Sequence, residues 1–102
     1  MRTRKKKFSD YGMTETEGVK VKAYCRHLTE KEKALLKAIA EKSAPGIGLA
    51  IYESLISGVG YYQLLKINAT LPSASEDFYA YRRKTVAEFY QKVIKPANVR
   101  LP

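Results

Sequence analysis

One cysteine, one histidine and no tryptophan occur in 102 residues. Cys25 alone cannot close an intramolecular disulfide, so no disulfide framework is expected. His27 has no partners of the type or spacing that hold a metal, and no metal or other cofactor is expected. Long apolar runs are missing too, since nothing approaches the ~18 to 20 residues a membrane span requires. The basic start leads into Phe8-Ser-Asp-Tyr11 and not into the apolar core of a secretory signal. A cytoplasmic, reducing setting without membrane insertion is the expectation. Acidic charge is scarce as well, with 10 Asp plus Glu against 19 Lys plus Arg, for a net charge of +9. What is present in quantity is 45% hydrophobic and 28% charged residues, the balance of a folded domain. The length suits one hydrophobic core and is too short for two.

The excess charge is unevenly spread. Met1 to Lys7 reads MRTRKKK and holds five positive charges, Arg2, Arg4, Lys5, Lys6 and Lys7, with no negative one. The other 95 residues carry 14 basic against 10 acidic side chains, a balance of +4. We therefore divide the chain into a flexible basic arm, residues 1–12, and a helical domain, residues 13–102. An arm of this kind attracts nucleic acid by releasing counterions from phosphates, but it reads no sequence.

Local signals predict about five helices and an all-α single domain. Thr14-Glu-Thr-Glu17 and Thr29-Glu-Lys-Glu32 are capping boxes, opening helices to about Arg26 and Ser43. Gly18 weakens the first by roughly 1 kcal/mol relative to alanine. After Pro45-Gly46, Ile47, Ile51 and Leu55 recur every fourth residue up to Gly58, which suits the residue just past a helix. Tyr61 to Lys66 is long enough for a short helix. The last helix begins within Ser73 to Asp77, where hydroxyl caps and two acids favour a helix start, and runs to about Lys95 before Pro96. Strict two-residue alternation bounded by hairpin turns is absent, so no sheet is expected.

The last helix contains EDFYAYRRKTVAEFY, residues 76–90, which sets basic side chains among five aromatic rings. Projected at about 100° per residue from Phe78, residues Phe89, Val93, Val86, Tyr79 and Tyr90 fall within one apolar face about 120° wide. Arg82 lands inside that face at about 40°, where its stem packs and its head snorkels to an acid or to solvent, with reach to a phosphate from the helix edge as the alternative. Ala80, Tyr81, Lys84, Glu88 and Gln91 take the opposite half, with Arg83 on the shoulder. Tyr81, Arg83 and Lys84 are the residues left to meet a partner.

The order of a three-turn helix, a short helix, a polar turn and a longer helix is that of a helix-turn-helix module, in which the last helix enters the major groove. The turn, about Ile67 to Ser75, is longer than usual. The residues Tyr52-Glu-Ser-Leu-Ile-Ser-Gly58, Tyr61-Tyr-Gln-Leu-Leu65, Ser75-Glu-Asp-Phe-Tyr79, Arg83-Lys84 and Phe89-Tyr90 resemble the C-terminal half of small phage and integrative-element proteins similar to sigma-factor region four. Phage late-gene activators of the ArpU type share the pattern, and the resemblance covers about Ile47 to Val93. It implies DNA binding through the helix that starts near Glu76, in a regulator of a mobile genetic element. A second resemblance, of Lys7-Phe-Ser-Asp-Tyr-Gly-Met-Thr14 to reading frames of Firmicutes conjugative elements, implies another class, an anti-CRISPR-type inhibitor of an effector nuclease.

Enzymatic chemistry finds no support in the sequence. Cys25 and His27 stand two apart, about 200° around a helix, and would not form a nucleophile–base pair. Gly46, Gly48, Gly58 and Gly60 lack the Lys-Ser/Thr of a phosphate-cradling loop. The eight tyrosines, Tyr11, Tyr24, Tyr52, Tyr61 and Tyr62 among them, allow stacking on unpaired bases, with core edges as the alternative. The partners expected are double-stranded DNA first and RNA second. A nuclease or polymerase complex and a homodimer stay open, as does a purely protein-binding module with a basic tail. The expected nucleic-acid contacts are Arg2, Arg4, Lys5, Lys6, Lys7, Tyr81, Arg83 and Lys84.

Overall fold

Both capping boxes close as their sequences demand. Thr14 Oγ1 accepts from Glu17 N at 3.0 Å while Glu17 Oε1 accepts from Thr14 N at 2.9 Å. Thr29 and Glu32 repeat the exchange at 3.2 and 3.0 Å. These start α1, Glu15–Tyr24, and α2, Glu30–Ser43, in the computed structural model, which describes residues 6–67 and 74–101. A 3-10 turn, Cys25–His27, extends α1 to the predicted end. Helix α3 spans Gly48–Ser57, α4 Tyr61–Ile67 and α5 Ser75–Phe89, followed by a π-helical turn, Tyr90–Ile94. No strand occurs among the described residues, and the chain is an all-α single domain as expected.

Gly58 ends α3 with φ +80°, the left-handed conformation that glycine adopts without a steric penalty. The start of α5 differs from expectation. Its cap position is Ala74, which has no side-chain hydroxyl to offer, and Ser75 is already helical. Ser73, the other predicted cap, lies outside the described residues, as does most of the predicted polar turn.

Helix α5 is the hub. It packs on α1, α2, α3 and α4 and on a 3-10 turn, Phe8–Tyr11. Phe78, Val86 and Phe89 form the centre of the core, as the projection places them, with Val21 of α1, Leu36 of α2 and Ile51 of α3. A radius of gyration of 12.7 Å agrees with about 100 residues gathered around one core. The three buried polar side chains of that core all find partners, as buried polar groups must. Thr85 Oγ1 donates to Tyr81 O at 2.9 Å, Ser54 Oγ to Val59 O at 2.6 Å, and Ser43 Oγ to the Glu88 carboxylate.

The basic arm is shorter than the sequence suggests. Phe8 is only 3% exposed and Met13 is buried beside it, so the chain is anchored in the core from Phe8 onward. The anchor explains Gly18, because a Cβ at that position would stand 2.5 Å from the Phe8 ring. What reads in sequence as a weak point in α1 is the notch that admits the ring.

Candidate nucleic-acid interface

The chain from Lys6 to Tyr11 crosses the face of α5 that the projection assigns to a partner. Arg83 Nε donates to Lys6 O at 3.0 Å on one side, and Gln91 Nε2 donates to Tyr11 O at 3.1 Å on the other. Ala80, expected to be solvent-facing, is 1% exposed, and Ala87 is buried as well. Tyr81, Arg83 and Lys84 are all half-buried, and every residue from Asp77 to Tyr90 is buried or half-buried. The first turn of α5 carries Glu76 and Asp77, which would repel phosphate where a groove-reading helix presents its start. The expectation that Ala80 faces a partner is therefore corrected, while Tyr81, Arg83 and Lys84 each keep part of their surface. A single-helix projection cannot foresee that a distant segment folds over the polar side.

The eight predicted contact residues separate into groups. Arg2, Arg4 and Lys5 lie outside the described residues. Lys6 and Lys7 are exposed, and Lys6 Nζ sits 6.0 Å from the Tyr11 ring centroid. Arg83 is brought to the end of the arm by its bond to Lys6. Tyr81 and Lys84 project to the other side of α5, Lys84 one turn before Glu88, which the Ser43 hydroxyl bonds from α2.

A second positive cluster includes Lys22 and Arg26, which the predicted contacts do not contain. Lys22 of α1 and Arg82 of α5 jointly line two adjoining cavities of about 250 and 230 Å³. Arg83 joins them in the first cavity and Arg26 in the second, against a single carboxylate, Glu15. Lys22 and Arg26 are four residues apart at the end of α1, the spacing that places two side chains on one face. That spacing, combined with the position of Arg82 at the edge of the apolar face, was the available signal. Gly58 leaves room for the Arg26 stem, since a Cβ there would stand 2.9 Å from Arg26 Cδ.

Arg82 is held by a hydroxyl and a ring, with no carboxylate partner among the described residues. Its Nη1 donates to Ser54 Oγ at 3.0 Å, and its Cζ lies 4.7 Å from the Tyr79 ring centroid. Snorkelling to an acid, one of the two predicted outcomes, does not occur among the described residues. Burial lowers the Arg82 pKa below its ordinary value, and the Arg83 charge lowers it further. Burial likewise lowers the Lys22 pKa, followed by Arg82, while Glu15 opposes the shift. Tyr79 opposes the shift at Arg82, and at Lys22 the Arg82 and Arg83 charges act in the same direction as burial, so an anion between these cations would favour the charged form of Lys22.

Cys25 is fully buried, and burial pushes its thiol up to about 12. His27 is exposed at the end of its turn. Among the described residues no group of three His, Cys, Asp or Glu side chains could hold a metal ion. Tyr62 is 66% exposed, but Tyr61 is buried and meets Phe78 edge to face, so the pair is not a stacking platform. No helix among the described residues is long and apolar enough to cross a membrane.

No family model, curated protein or solved structure matches the chain.

The functional reading therefore stands on the surface itself. From the exposed Lys6 and Lys7 the positive charge passes through Arg83 at the rim of the first cavity to Lys22, Arg82 and Arg26.

Proposed function

We propose that this chain is a small DNA-binding protein that grips the phosphate backbone of a duplex through the basic band formed by Lys6, Lys7, Arg83, Lys22, Arg82 and Arg26. The observation that supports the reading most is the concave surface shared by four cationic side chains and one carboxylate, with the arm entering at its rim. A polyanion is the ligand that such a surface favours, because each neutralised phosphate releases condensed counterions. Contacts of this kind position a protein on a duplex and carry little sequence information. The regulatory role in a mobile element that the sequence resemblance implies would then be architectural or accessory, without base reading by α5.

The test is fluorescence anisotropy with a mixed-sequence duplex over about 50 to 200 mM salt, where the logarithm of the affinity should fall with a slope of about −4 for four to five phosphate contacts. Arg83→Ala should weaken binding severalfold on every duplex. Tyr81→Ala and Lys84→Ala should change it by less than about twofold, because neither lies on the band. Salt-independent binding would overturn the reading. Loss of preference for one particular sequence on Tyr81→Ala would restore α5 as a reader.

A further inference from the structure

Four like charges meet around the paired cavities, and one of them, Arg82, is held in place before any ligand arrives. The Ser54 hydroxyl donates to Val59 O, which leaves its oxygen free to accept from Arg82 Nη1. That bond occupies one of the five donors of the guanidinium. The Tyr79 ring covers one side of the guanidinium. Lys22 approaches from α1, its Nζ 5.8 Å from the Phe8 ring centroid, and lines both cavities with Arg82. A planar donor fork beside an ammonium, in a concave and partly desolvated position, is the arrangement that recognises phosphate oxygens by geometry as well as charge.

We infer that the cleft between α1, α3 and α5 is a discrete phosphate-binding site, in which one phosphate group is held by the Arg82 fork and the Lys22 ammonium, with Arg26 at its edge. The inference rests on the proposed DNA-binding reading for its natural ligand, a backbone phosphate, and it adds that one phosphate of the bound strand is seated where the others are merely attracted. A free phosphate compound would satisfy the same chemistry, and the experiment separates the two sources.

Thermal unfolding is measured in inorganic phosphate against chloride at equal ionic strength. Phosphate in about tenfold excess over its dissociation constant should raise Tm by at least about 4 °C above the chloride value. Lys22→Met keeps the stem, removes a like-charge repulsion and should abolish the phosphate-specific rise. Arg82→Lys, which keeps the charge and loses the fork, should reduce it strongly. Lys37→Met, an exposed lysine of α2 that does not line either cavity, should leave it intact. The same variants are then titrated with duplex DNA. A salt slope smaller by about one for Lys22→Met but not for a phosphate-site-independent change assigns the site to a backbone phosphate. Loss of the phosphate rise with unchanged DNA binding supports the site and assigns it to a free phosphate compound. No excess of phosphate over chloride, or equal effects of Lys22→Met and Lys37→Met, would overturn the site while leaving the DNA-binding reading to its own salt test.

Discussion

Gly18 and Phe8 act as a pair, and their contact yields the sharpest prediction at the scale of one residue. On helix propensity alone, Gly18→Ala should stabilise α1 by roughly 1 kcal/mol. With the Phe8 ring 2.5 Å from the added methyl, overpacking reverses the sign, and we expect a net loss of about 1 kcal/mol or more in urea unfolding. A more stable variant would mean that Phe8 does not occupy the notch. Cys25 gives a chemical counterpart. Its thiol is fully buried and held at about 12, so maleimide should label it in denaturant and fail to label it in the native state at neutral pH. Arg82 is the residue that the sequence described best, since its predicted place within the apolar face of α5 and its packed stem both recur in the fold. Its lack of a carboxylate partner was not legible, because it depends on which helices face it.

Among the elements, the segment from Lys6 to Tyr11 and helix α5 are best understood together. Phe8→Ala should cost about 3 kcal/mol and also loosen the packing of the Phe8–Tyr11 turn on α5, which the variant would reveal as added amide exchange in α5 under native conditions. Removal of the capping hydroxyls by Thr14→Ala or Thr29→Ala should cost about 1 kcal/mol each in the same unfolding measurement. Helix boundaries were legible because caps and terminators are local: Thr14, Thr29 and Gly58 do what their types and spacing imply. The exposed side of α5 was not legible. Its projection identifies Phe78, Val86 and Phe89 as core correctly, yet Ala80 and Ala87 are also buried, because α5 is packed on by other elements around most of its circumference. An alanine carries no pattern that distinguishes cover from solvent.

Two carboxylate–tyrosine pairs, joined on the alkaline side by the buried Cys25 thiol, shape the pH dependence of the whole molecule. Backbone bonds from Thr14 and Thr29, followed by the hydroxyls of Tyr90 and Tyr24, hold Glu17 and Glu32 below the ordinary carboxylate value. Their contribution is complete above the unfolded value of 4.5 and is lost as pH falls through the lowered native values. Tyr24, bonded to Glu32 at 2.5 Å, is raised to about 12, and Tyr90 is raised by Glu17. Their contribution is complete below the ordinary value of 10.0 and fades as pH rises through the native ones. Urea midpoints should therefore be level from about pH 6 to pH 9 and decline on either side. Tyr24→Phe and Tyr90→Phe together should lessen the alkaline decline and leave the part set by the buried Cys25 thiol, raised from 9.0 to about 12, and by Tyr11, raised by burial. The bonds from Arg83 to Lys6, Gln91 to Tyr11 and Tyr90 to Glu17 span 77, 80 and 73 residues. During synthesis, Phe8 leaves the ribosome long before α5 exists to receive it, so the earliest docking residue must wait for the latest helix. The core can close only when α5 has emerged, and until then Phe8 and Met13 are surfaces that a chaperone would recognise.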